Sequence, residues 1–118
     1  MDQARSLAAL GLTARGGREA LLRGLAVDSR AVREGFLFAA LPGAQAHGAD
    51  YIAAALGNGA AAILTDAAGA RLAEAALAGS AAALVVTEDP RATLAFAAAL
   101  WFDAQPEVVV EVPVTATT

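Results

Sequence analysis

Short, near-continuous apolar runs alternate along this chain with stretches of small residues and turn formers. Residues 25–28 read as a short strand that ends in the polar turn Asp28-Ser29-Arg30. After Gly35, residues 36–40 form an apolar run closed by Leu41-Pro42-Gly43, the pattern of a strand buried on both faces. A small-residue loop then leads through Gly48 to residues 49–56, which have helical character with Ile52, Ala55 and Leu56 on one face and Gly57 and Gly59 closing it. The pattern repeats. Residues 61–64 are strand-like, Asp66 is placed to cap an alanine-rich helix over 67–78, and residues 82–87 form the next strand. Asp89-Pro90 starts a helix that runs to about Phe102, and residues 108–112, rich in β-branched side chains, make a last strand. Ahead of all this, residues 2–10 read as a short helix, followed by a turn at Gly16-Gly17.

Strands alternating with helices imply a single α/β domain of three layers, with a mixed, largely parallel sheet and helices on both faces. The length of 118 residues fits one core and no second one.

Composition narrows the chemistry. Hydrophobic residues make up 58% and charged residues 17%, which excludes intrinsic disorder. The longest wholly apolar run covers residues 94–102, far short of the roughly 20 residues a membrane helix needs. A soluble, cytoplasmic protein is expected. The absence of cysteine removes disulfides, thiolate metal sites and cysteine nucleophiles, and a single histidine, His47, leaves no imidazole cluster. All 8 basic residues are arginine, so a lysine-bearing phosphate loop is excluded. A net charge of −4 with scattered arginines argues against nucleic acid and anionic membranes as partners.

The turn Asp28-Ser29-Arg30 sits where a strand ends, the usual place for ligand contacts in open α/β sheets. Two readings stand side by side. It is a side-chain-stapled turn, with Asp28 accepting local amides and Arg30 pairing nearby, or it presents the Ser29 hydroxyl to a polar ligand. The loop from Pro42 to Gly48 likewise is either plain connection or a place where backbone approaches a ligand closely. No nucleophile or orienting carboxylate lies at a recognisable spacing from His47, so it reads as a surface or ligand-edge histidine. Glu88-Asp89 and Glu107/Glu111 read as a helix cap and solvated charges.

Taken in order, these motifs resemble a known family. Gly24-Leu25-Ala26-Val27-Asp28-Ser29-Arg30-Ala31-Val32, then Gly35-Phe36-Leu37-Phe38-Ala39-Ala40-Leu41-Pro42-Gly43, then His47-Gly48, Tyr51-Ile52 and Asn58-Gly59-Ala60-Ala61-Ala62-Ile63-Leu64, look like the amino-terminal domain of the Mur ligases. These ATP-dependent enzymes add amino acids to the UDP-N-acetylmuramoyl peptide of peptidoglycan. The form Ala40-Leu41-Pro42-Gly43 resembles the type that adds the third residue to UDP-MurNAc-L-Ala-D-Glu (the MurE type). The resemblance covers about residues 22–110.

It implies a substrate-recognition domain over residues 1–106 and, over 107–118, the first strand and the start of an ATP-binding central domain. The positions of Val27 and Ser29 are implied to contact the uridine part of the substrate, with Ala44, Gln45 and Ala46 adding contacts from the loop. At Ala44, where the family often carries a polar or aromatic side chain, only a backbone contact transfers, and His47 receives no family role. The implied partner is the UDP-N-acetylmuramoyl peptide; no nucleic acid and no membrane are expected, and the chain is expected to be a monomer. ATP and Mg2+ are implied for the intact enzyme and no cofactor for this piece. Val114-Thr115-Ala116-Thr117-Thr118 matches the start of the family's ATP loop, with Ala116 where glycine is expected and no lysine following. Ligation is therefore not expected of this chain alone. The alternatives are a non-enzymatic scaffold or interaction module of the same fold, or the equivalent domain of the ligase that adds the terminal dipeptide (the MurF type).

Overall fold

A computed structural model describes residues 4–43 and 47–103 of the chain. The amino-terminal stretch departs from the expected helix. Over its described residues it forms a short strand, β1 (Arg5–Ser6), and a 3-10 turn at Ala8–Leu10. β1 pairs antiparallel with β2 (Leu21–Leu22). A long-range anchor explains the departure: Glu19 accepts the Leu7 amide at 2.6 Å and the Ala8 amide at 3.3 Å, while Leu7, Leu10 and Leu22 are buried. Tertiary contacts outweigh a helix propensity worth only tenths of a kcal/mol per residue.

The next strands are β3 (Gly24–Ala26), β4 (Phe36–Ala39), β5 (Ala62–Thr65) and β6 (Ala83–Val86). They lie in the order β3-β4-β5-β6 and every neighbouring pair is parallel. The mixed sheet expected from the sequence thus separates into a parallel four-stranded sheet and the antiparallel β1–β2 ribbon. Helices fill the connections and follow the last strand: α1 (Ile52–Gly57), α2 (Ala67–Leu72), α3 (Glu74–Ala78) and α4 (Pro90–Asp103). The single helix expected over 67–78 is broken at Ala73, and nothing in the local sequence marks the break. The strand over 108–112 lies outside the described residues.

Alternation along the central strands builds two cores. Leu37, Ala39, Ala62 and Leu64 face the amino-terminal segment and α4, where Leu10, Leu12 and Ala97 are buried and Leu94, Leu100 and Trp101 pack against them. Phe38, Ala40 and Ile63 face the other way, onto Val32, Ile52, Ala55 and Ala73. The three-layer arrangement, with helices on both faces, follows from this division. Among the described residues no helix is long and apolar enough to cross a membrane.

Candidate functional site

Because β3 to β6 run parallel, their carboxyl ends share one edge, the place where open α/β sheets bind ligands. At the end of β3 the chain turns through Asp28 into a 3-10 turn, Ser29–Ala31. Asp28 Oδ1 accepts the Arg30 amide at 2.9 Å and the Arg30 Nε at 3.0 Å, and Oδ2 accepts Nη2 at 2.8 Å. This is the stapled turn foreseen in the sequence. The Arg30 side chain, and secondarily its amide, hold the Asp28 carboxyl down at about 2. With side chains 88% and 47% exposed, the pair shapes the turn and adds little stability.

Ser29 is clamped from behind. Its carbonyl oxygen accepts Asn58 Nδ2 from the end of α1 at 2.9 Å and the Val32 amide at 3.3 Å. The residue is only 9% exposed, and its hydroxyl makes no hydrogen bond to a described residue. No fully buried side-chain oxygen or nitrogen among the described residues lacks a partner, so this hydroxyl opens outward. Ser29 lines a cavity of about 540 Å³ together with Val27, Asp28, Arg30 and Tyr51. The staple and an unbonded hydroxyl therefore coexist in one turn. Val27, 58% exposed, forms part of the wall. Tyr51 and Asn58 were not singled out from the sequence; both belong to motifs quoted there, but only folding brings them to the β3 turn. Ala44, Gln45 and Ala46 lie outside the described residues.

The neck of the loop that carries those three residues is tied at both ends. Pro42 and His47 form an antiparallel bridge, and the Gly48 amide donates to the Leu41 carbonyl at 2.8 Å. A Cβ on Gly48 would meet the Leu41 nitrogen at 2.7 Å, so only glycine allows this approach. Arg91 of α4 donates to the Pro42 carbonyl at 3.2 Å.

His47 corrects the sequence reading. Its side chain is 13% exposed rather than a surface group, and a carboxylate 19 residues on, Asp66, stands 2.9 Å from Nε2. Nδ1 accepts the Ala49 amide at 2.8 Å, capping the 3-10 turn Gly48–Tyr51. The neutral Nε2–H tautomer satisfies both bonds. With both nitrogens occupied, neither is left to activate a nucleophile. Asp66 also accepts the Gly69 amide at 2.7 Å as the cap of α2; that bond first, and His47 after it, hold its carboxyl below the ordinary range.

An apolar groove of about 290 Å³ lies between β3 and α4, lined by residues that include Leu25, Leu94, Trp101 and Phe102. It offers no polar side chain apart from the indole to orient a nucleotide, whereas the larger Ser29 cavity has Asp28, Ser29, Arg30 and Tyr51 in its lining. ATP and Mg2+ find no cradle among the described residues. The chain has no lysine, and no three His, Cys, Asp or Glu side chains converge there.

The profile described as "Mur ligase family, catalytic domain" matches residues 22–103. The chain belongs to the Mur ligase family. A UDP-N-acetylmuramoyl-L-alanyl-D-glutamate–2,6-diaminopimelate ligase of Streptomyces coelicolor is 47% identical over 108 residues, covering 92% of this chain and 20% of that protein. Ligases of the same name from Streptomyces avermitilis and Brucella melitensis are 41% and 44% identical, over 85% and 80% of this chain and 19% and 18% of theirs. Among solved structures, the ligase from Acinetobacter baumannii that carries the D-alanyl-D-alanyl name (MurF) superposes with a TM-score of 0.61 at 19% identity. That match covers 82% of this chain and 20% of the other, and it establishes the shared Mur ligase fold. The sequence relatives carry the name of the type to which Ala40-Leu41-Pro42-Gly43 points. This Mur ligase chain spans about one fifth of the length of the relatives it matches.

Proposed function

We propose that this chain is the substrate-recognition domain of a peptidoglycan-precursor ligase and holds the uridine end of UDP-N-acetylmuramoyl-L-alanyl-D-glutamate. The observation that carries this reading is the Ser29 hydroxyl, held on a clamped turn at the sheet's carboxyl edge and open to a cavity of about 540 Å³. A uracil ring offers one N–H and two carbonyls, which a hydroxyl and neighbouring backbone groups match. Val27 supplies apolar wall, and Ala44, Gln45 and Ala46 contribute contacts from the tied loop. The recognition domain takes in residues 1–106, and residues 107–118 lead into an ATP-binding domain.

In an intact ligase, ATP with Mg2+ would activate the peptide carboxylate for attack by the incoming amine. This domain's part is binding energy remote from the reacting carbon, which positions the carboxylate. It acts as a monomer in the cytoplasm, where nucleotide-activated precursors are made. A few hydrogen bonds at about 0.5–1.5 kcal/mol each give millimolar affinity or weaker for the chain alone. Titration of the chain with UDP-N-acetylmuramoyl-L-alanyl-D-glutamate tests this. Ser29→Ala is expected to weaken binding roughly two- to tenfold, the value of one hydrogen bond. Undiminished binding by the variant, or micromolar binding of a ligand without uridine, contradicts the reading.

A further inference from the structure

Resting on the uridine reading above, we propose that Tyr51 is the aromatic wall on which the nucleobase lies, and that this cavity selects the uncharged nucleoside and not the diphosphate. The cavity has two large apolar side chains in its lining, Val27 and Tyr51, which are 58% and 55% exposed. They stand in the same cavity as Ser29, whose hydroxyl has no partner among the described residues, which is the make-up of a small-molecule site: apolar walls and a few convergent polar groups. An aromatic face adds stacking that is tolerant of angle and strong for a planar base.

The ring is presented on a held backbone. Tyr51 ends the 3-10 turn Gly48–Tyr51, whose start His47 caps, and the next residue, Ile52, is fully buried as the first of α1. Burial of Ile52 on one side keeps its neighbour Tyr51 at the surface. Asn58, at the other end of α1, grips the Ser29 carbonyl, so one short helix spans Tyr51 and Ser29.

Charge argues for the nucleoside. Arg30 is the cation of the lining, and its Nε and Nη2 are taken by the two Asp28 oxygens. One positive and one negative group, already paired, leave the lining with no net charge to attract a diphosphate. Tyr51 lies within electrostatic reach of the same guanidinium. The diphosphate of a bound UDP sugar therefore lies outside this cavity.

Tyr51 is the only tyrosine of the chain, so the one tyrosine spin system in an aromatic NMR spectrum belongs to it. Titrations with uridine and with UDP are expected to give dissociation constants within about threefold of each other and to move those signals upfield, as stacking does. Tyr51→Phe is expected to keep the affinity, and Tyr51→Ala to lose roughly tenfold. The side chain is largely exposed, so both variants are expected to fold, and their amide spectra check this. If UDP binds more than about tenfold tighter than uridine, or Tyr51→Ala binds like the unaltered chain, the inference falls. The uridine site itself still stands in that case, provided amide shifts map to residues 27–30. If neither ligand perturbs the spectrum, both fall together.

Discussion

Residue by residue, the turn after β3 shows how a few polar side chains build a rigid rim. Asp28 bonds both the amide and the side chain of Arg30, and Ser29 is gripped through its carbonyl, which leaves its hydroxyl without a hydrogen bond to a described residue. The staple has a readable signature. With Arg30 in place the Asp28 carboxyl sits at about 2, below its ordinary 3.8. A carboxylate depressed on folding stabilises the fold above its unfolded pKa, and that contribution fades as pH falls from near 4 through about 2. In Arg30→Ala the Asp28 pKa is expected to return toward 3.8, followed by NMR of the side-chain carboxyl carbon against pH. An unmoved midpoint near 2 would show that something other than Arg30 holds the charge.

Among the elements, the junction of β5, α2 and the loop neck is the tightest. A Cβ on Gly69 would sit on Thr65 Oγ1 and 2.7 Å from His47 Cε1. Thr65 is itself fixed, donating to the Ala40 carbonyl at 2.9 Å. Two effects of Gly69→Ala oppose each other. Helix propensity favours alanine by about 1 kcal/mol, while overpacking a full site costs about 1–3 kcal/mol. Overpacking wins here because neither neighbour is free to move, so a net loss of about 1 kcal/mol is expected in urea unfolding. A gain in stability would mean that His47 is not anchored as described.

The same elements show what the sequence makes legible. The expected strands over 36–40, 61–64 and 82–87 fall within a residue or so of β4, β5 and β6, because a strand covered on both faces must be apolar throughout and turn formers bound it. The caps at Asp66 and Asp89 were legible for a similarly local reason: each carboxylate accepts an amide three residues on, Gly69 and Ala92. What local pattern does not carry is distance. Glu19 reaching back to Leu7, Asp66 meeting His47 and Asn58 meeting Ser29 join residues 12, 19 and 29 positions apart. The missed strand β1 and the misread His47 both trace to such contacts. Of the candidate cavity's lining, Val27 and Ser29 were singled out through the family motif, whereas Tyr51 joins them only once α1 folds against the β3 turn.

For the whole molecule, topology decides where recognition happens. Four parallel strands bring the Asp28-Ser29-Arg30 turn, the neck of the 43–46 loop and the Asp66 cap to one edge, and the apolar groove beside α4 adjoins the Ser29 cavity at Val27, which lines both. The chain covers about one fifth of the length of the relatives it matches, and in the proposed reading it holds one end of a long substrate. The most direct check is a map of backbone amide shifts as UDP-N-acetylmuramoyl-L-alanyl-D-glutamate is added to the chain. The expected result is a cluster of perturbed amides at residues 27–31 and at Tyr51, fading in Ser29→Ala. A map centred on the groove between β3 and α4, or one indifferent to Ser29, would contradict the account.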